Sequence, residues 1–142
     1  MTSYQEIYER FAQKITDVKL MELSDEDIEQ LLCGYLLSAV AKFKKCTSDL
    51  SNRDTGRRIF NIELTDIEKE ILALMMVAEW LEPQVNSTLL TSQFISSNNT
   101  KYYAQANQLD KLMTLSHTCK NEARKLVRDY TYQSYLQERE KA

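Results

Sequence analysis

The sequence predicts an all-α protein: about four helices with a long C-terminal helix, packed as a short helical bundle with extended loops. Three observations predict this class. Apolar residues recur at helical spacing over most of the 142 residues. Glycine and proline number two and one, too few for the frequent turns of a sheet-rich domain. Helix-start signals stand ahead of the apolar runs at Ser24 and Thr65. The length suits one domain, so residues 1–142 read as a single unit. The hydrophobic fraction, 43%, is enough for a core.

The first helix is expected from about Tyr4 to about Ile15, with Ser3 as cap. Tyr4, Ile7, Tyr8, Phe11 and Ile15 fall on one face. A connection from Thr16 to Leu23 follows. The second helix has Ser24 as cap, Asp27 three residues on, and Leu23 and Ile28 placed for a hydrophobic staple. Asp25, Glu26 and Asp27 suit the positive end of its dipole, and Lys42, Lys44 and Lys45 suit the negative end. Between them Ile28, Leu31, Leu32, Tyr35, Leu36, Ala39, Val40 and Phe43 repeat at helical spacing. Gly34 interrupts this helix at a cost of ~1 kcal/mol relative to alanine, so a close helix crossing is expected there.

Residues 46–64 are the least regular. Asp49, Ser51, Asn52, Asp54 and Gly56 are turn formers. Ile59 to Leu64 alternates weakly, but without a second clear strand it reads as loop. The third helix opens at Thr65, with Glu68 placed to complete a capping box. From Ile71 to Leu81 only Glu79 is charged. A helix without a polar face must be covered all round. Four helices offer little cover, so Leu72, Met76 and Trp80 are expected to gain theirs from a neighbouring subunit. Pro83 should end or kink the helix, with a further turn or two through Val85, Leu89 and Leu90. Ser92 to Asn99, with Phe94 and Ile95, reads as loop.

The fourth helix is expected from about Lys101 to about Tyr130. Leu109, Leu112, Cys119, Ala123, Leu126 and Tyr130 keep a seam close to 3,4 spacing, interrupted at Ser116. Tyr132, Tyr135 and Leu136 follow. Residues 133–142 read as a flexible tail or a docking segment.

Charge excludes little. The net of −3 gives no general drive toward nucleic acid or anionic membrane. It is unevenly spread, with 10 basic and 16 acidic residues in 1–100 against 8 and 5 in 101–142. Such a dipole suits head-to-tail contact with another protein. The N-terminus lacks the basic and apolar regions of a signal peptide, and no apolar run reaches the ~20 residues of a membrane span. A soluble protein is therefore expected. Cys33, Cys46 and Cys119 are odd in number and match no metal motif, which points to a reducing environment.

No catalytic, cofactor or metal residues are expected. The single histidine, His117, lacks the Glu-x-x-His signature of a di-iron bundle. Cys119 lies two residues from it, so the two point apart on a helix. Two glycines make no phosphate loop. Asp25, Glu26 and Asp27 diverge around the helix axis and read as capping residues. Arg53, Arg57 and Arg58 cluster beside Phe60, either as a contact for phosphate or an acidic surface or as a solvated loop. Trp80 reads as core, with an inter-subunit anchor as the alternative. Tyr102, Tyr103, Tyr130, Tyr132 and Tyr135 gather at the two ends of the long helix. They mark either an interface or the edge of an amphipathic core.

Four stretches in order carry a resemblance. They are Leu23-Ser-Asp-Glu-Asp-Ile28; Phe60-Asn-Ile-Glu-Leu-Thr-Asp-Ile-Glu68 with Ile71-Leu-Ala-Leu-Met-Met-Val-Ala-Glu-Trp-Leu-Glu-Pro83; Tyr102-Tyr-Ala-Gln-Ala-Asn-Gln-Leu109; and Glu122-Ala-Arg-Lys-Leu-Val-Arg-Asp-Tyr-Thr-Tyr132. In these the chain resembles the small helical head–tail connector (adaptor) proteins of long-tailed bacteriophages, especially phages and prophages of Gram-positive bacteria. Residues 1–22 and 46–58 contribute nothing to it.

The resemblance implies a structural virion protein and no enzyme. Such adaptors form a ring, commonly twelve-fold, between the portal and the next neck or tail-completion protein. Genomic DNA passes through the ring without sequence-specific binding. Assembly in the host cytoplasm, a place in the virion neck and no membrane contact follow from the same likeness. It also implies an extended terminal segment inserted into the portal, here Tyr132–Ala142, and a loop reaching a neighbour, here 46–64. The expected interface residues are Arg57, Arg58, Phe60, Trp80, Tyr132, Tyr135 and Leu136. A different class remains beside this one: a small intracellular helical regulatory protein that binds its partner as a dimer.

Overall fold

The computed structural model describes residues 1–15, 22–93 and 100–141, with backbone alone for 88–93 and 100–105. Most of the expected connection from Thr16 and the stretch with Phe94 and Ile95 lie outside these residues. So do the side chains of Leu89, Leu90, Tyr102 and Tyr103. In chain order the elements are β1 (Thr2–Ser3), α1 (Tyr4–Ala12), α2 (Asp25–Lys42), β2 (Arg53–Asp54), β3 (Ile59–Phe60), α3 (Asp66–Gln93) and α4 (Thr100–Lys141). The class is all-α, with a small sheet as its only departure among the described residues.

Helix α3 is the axis of the fold, because α1, α2 and α4 each pack against it. Its apolar run needs cover on every side and finds it within one chain. Ile71, Leu72, Ala73, Leu74, Met76, Val77 and Leu81 are all buried. The expectation that Leu72 and Met76 wait for a neighbouring subunit is therefore wrong. Three helices on different sides suffice when each presents an apolar stripe: α1 brings Ile7 and Phe11, α2 brings Leu36 and Ala39, and α4 brings Cys119 and Ala123. Trp80 is half-buried and packs against this core.

The helix ends follow local chemistry. In α1 the Glu6 carboxylate accepts from the Ser3 N–H at 2.9 Å, and the helix stops at Ala12, a turn short of the expected Ile15. In α2 the Ser24 hydroxyl accepts from the Asp27 N–H at 3.2 Å. In α3 the Thr65 hydroxyl accepts from the Glu68 N–H at 3.3 Å, and Glu68 accepts from the Thr65 N–H at 2.9 Å. Helix α3 runs on past Pro83 to Gln93, so the expected continuation beyond the proline is present and somewhat longer than a turn or two. Proline removes the donor to the carbonyl four residues back. One residue along, the Gln84 side chain donates to the Trp80 carbonyl at 3.2 Å.

The segment read as loop contains a strand. β3 lies between β1 and β2, antiparallel to both, with Thr2 and Arg53 opposite Phe60. Its partners are two residues each, too short for any periodicity to register. Buried Thr2 ties the sheet to the segment that leads into α3: its hydroxyl donates to the Ile62 carbonyl at 3.1 Å and accepts from the Leu64 N–H at 2.9 Å.

The largest difference from expectation is at the end of α4. Residues 133–141 continue the helix instead of forming a flexible tail. At ~1.5 Å per residue, 42 residues span ~63 Å. The seam holds as expected, with Cys119, Ala123 and Tyr130 buried and Leu109, Leu112, Ser116 and Leu126 half-buried. After Tyr130 no described residue is buried, so this segment is a helix with almost nothing packed on it.

Candidate functional site

The expected interface residues separate into three groups. Tyr132, Tyr135 and Leu136 remain 64%, 58% and 38% exposed on the uncovered end of α4. Trp80 sits half-buried on α3. Arg57, Arg58 and Phe60 lie at the sheet. The structure does not join the groups into one site.

Phe60 is not a surface residue. It is fully buried, with its ring 5.0 Å from that of Tyr4. Nor do the arginines form a patch. The Arg53 guanidinium donates to the Leu50 carbonyl at 2.8 Å. Arg58 pairs with Glu29 of α2 at 2.7 Å. Its backbone sits in the left-handed region, φ 56°, a conformation costing ~1–2 kcal/mol for a side-chain-bearing residue. Its carbonyl accepts from the Tyr4 N–H at 2.9 Å, so this turn anchors the start of α1. Arg57 alone is exposed, its N–H held by Asp54 at 3.1 Å.

Glu68 does more than close its capping box. It is 1% exposed, and each of its oxygens accepts two bonds. Oε1 takes the Thr65 N–H and the Ser48 hydroxyl, both at 2.9 Å. Oε2 takes the Tyr130 hydroxyl at 2.8 Å and the Cys46 thiol at 3.2 Å. The Tyr130 oxygen accepts in turn from the Thr47 N–H at 2.8 Å. One carboxylate thus joins the 46–48 segment, α3 and α4. Burial pushes its pKa up, but the hydrogen bonds from Thr65, Ser48, Tyr130 and Cys46 outweigh burial and hold it below the usual carboxylate value. Burial and then Glu68 push the Cys46 thiol up to about 12. A thiol so protonated is a poor nucleophile at neutral pH, and Glu68 has no spare acceptor site. The cluster is a structural clamp.

A second carboxylate clamp joins α1 to α3. Glu70 accepts from Arg10 at 3.1 Å and pairs with Lys14. Burial raises its pKa; Lys14 and Arg10 outweigh this and leave it lowered. Lys69, 8% exposed, pairs with Glu6 at 3.3 Å.

Two surface depressions matter. An open groove of about 820 Å³ runs between α2 and α3, lined by Leu31, Gly34, Tyr35, Ser38, Glu82 and Pro83 among others. Gly34 lies on its floor, exposed, and an added Cβ there would meet nothing within 4 Å. The close crossing expected at Gly34 is therefore absent from the described chain. A smaller crevice of about 310 Å³ between α3 and α4 includes His117, Lys120, Arg124 and Glu82. His117 is exposed, whereas the Cys119 thiol points inward and donates to the Leu74 carbonyl at 3.1 Å. Among the described residues no three His, Cys, Asp or Glu side chains converge on a metal position. No described helix is long and apolar enough to cross a membrane.

Comparison with known protein families, curated proteins and solved structures gave no match to this chain. The functional reading therefore stands on these surfaces and on the sequence. Sequence reasoning found the exposed aromatic residues of α4. It missed the Glu68 clamp, whose only visible signal was the capping box, and it misread Gly34, whose exposure no spacing pattern reveals.

Proposed function

We propose that this chain is a structural protein without catalytic activity, a head–tail connector of a long-tailed bacteriophage. In this reading it forms a ring, twelve-fold by resemblance, between the portal and the next neck component. The ring surrounds the DNA channel without reading sequence and needs neither cofactor nor membrane. It is assembled in the host cytoplasm and resides in the virion neck.

The single observation that carries the reading is the uncovered end of α4. A helix that leaves its own core bearing Tyr132, Tyr135 and Leu136 exposed has the composition of a protein-docking element. The resemblance assigns that role to the same segment, although as an extended tail. A helical docking segment meets the same need with less ordering cost on binding. The modest net charge of −3 also fits a conduit, which must not hold phosphate tightly.

The test is co-expression with the portal protein encoded nearest to this reading frame, followed by light scattering and negative-stain imaging. Rings docked on portal assemblies are expected. A stable dimer that ignores the portal contradicts the connector and favours the regulatory protein.

A further inference from the structure

Two surfaces stay uncovered by the described residues, and they complement each other. The first is the back of the α4 end. With 3.6 residues per turn, Lys125, Arg128, Tyr132, Tyr135, Leu136 and Arg139 fall within ~60° of Tyr132. That face is opposite the seam formed by Cys119, Ala123 and Tyr130. All six residues are exposed. Among the described residues, Lys125, Arg128 and Arg139 form no ion pair. The face is an aromatic ridge with three unpaired cations along it and one carboxylate, that of exposed Asp129, at its margin.

The second surface is the groove between α2 and α3. Among the described residues its lining includes the carboxylates of Glu79 and Glu82 and no cation. Glu79 pairs with Lys42 at its edge, whereas Glu82, which also borders the α3/α4 crevice with Lys120 and Arg124, has no ion pair within 4 Å among the described residues. About 820 Å³ is room for several side chains. Leu31 and Tyr35 on the α2 wall are only half-buried. Gly34 lines the groove without a side chain, at a cost to the helix of ~1 kcal/mol, and no described residue would meet an added Cβ there.

The two surfaces sit at opposite ends of the fold. Tyr130 meets Glu68 at the start of α3, and α4 continues outward from there. Pro83 lies fifteen residues further along α3, ~22 Å away. A chain cannot fill its own groove with its own α4 end.

We infer that the α4 end of one copy docks in the α2/α3 groove of the next copy. The ridge of Tyr132, Tyr135 and Leu136 lies over Gly34 and Leu31, and its cations face Glu82. The two partners offer different surfaces, so the contact is head-to-tail and propagates until it closes. The charge split between residues 1–100 and 101–142 favours the same pairing. The inference rests on the connector reading only for closure into a ring.

The test uses the full chain in sedimentation over rising concentration. The unaltered chain is expected to form species larger than a dimer; a monomer throughout overturns the contact. Gly34→Trp fills the groove and leaves the ridge intact. Tyr132→Ala with Tyr135→Ala removes the ridge and leaves the groove intact. Each is expected to keep its helix signal and melting temperature while self-association weakens ~30-fold or more. Mixed in equal amounts, the two retain one good contact and are expected to form a heterodimer and nothing larger. Self-association of the Gly34→Trp chain, or a mixture that stays monomeric, overturns the proposal. Complementation without portal binding removes the connector reading and leaves the contact. Portal binding without complementation does the reverse.

Discussion

The run from Ile71 to Leu81 in α3 and the run from Thr131 to Lys141 in α4 are both helical, and they are opposites in cover. The first is apolar but for Glu79 and is largely enclosed by three helices of its own chain. The second is largely polar and has no buried residue. Greasiness alone suggested that the first run would seek a partner. Exposure shows that the second is the one left without one. An apolar segment says that cover is needed and not where it comes from. A few aromatic residues on an uncovered face say more about association.

The comparison breaks first if α3 is not the source of stability. Met76→Ala should destabilise the fold by ~2–5 kcal/mol, the usual range for a buried side chain cut to alanine. Urea denaturation measures it, and self-association of the folded fraction should be unchanged. A loss below ~1 kcal/mol, typical of surface changes, would mean that α3 is not enclosed as described.

The Glu68 clamp comes next. Glu68→Gln keeps the shape but loses the charge that four donors share, and should cost ~2–3 kcal/mol. The pH profile sharpens this. Glu68 and Glu70 lie below the usual carboxylate range when folded. As pH falls below ~4.3 the unfolded chain takes up protons first, so stability is lost toward acid. Cys46 and Tyr130 titrate at about 12 when folded, raised by burial, against ~8.5 and ~10 unfolded. Stability is therefore also lost as pH rises above ~8.5. Denaturation at a series of pH values should show a plateau between these limbs. The acid limb should flatten in Glu68→Gln.

The smallest effect expected is a gain. The Tyr4 hydroxyl is buried with no hydrogen-bond partner among the described residues. Tyr4→Phe removes an unsatisfied group and should stabilise by up to ~1 kcal/mol. Calorimetry reads it as a slightly higher melting temperature; a clear loss would reveal a partner for this hydroxyl.

Much of this fold was legible because its signals are local. Caps at Ser24 and Thr65, the α1 face and the α4 seam each depend on residues within a few positions of one another. The α4 seam even tolerated Ser116, which occupies its place half-buried. What escaped depends on distant residues. Thr2 and Arg53 meet Phe60 only after folding, so no pattern in 59–64 could announce a central strand. Glu68 joins Cys46, Ser48 and Tyr130 across 62 residues of chain at the widest. The tail was misjudged for another reason: its polar composition resembles a solvated coil, yet it continues a helix already nucleated by the seam.

The most direct test of the account is removal of residues 133–142. The contrast between an enclosed α3 and an uncovered α4 end predicts two results together. The melting temperature should stay within a degree or two, because no described residue removed is buried, and self-association should disappear, and with it the ring that docks on the portal. A truncated chain that melts markedly earlier, or one that assembles as before, would contradict the central claim.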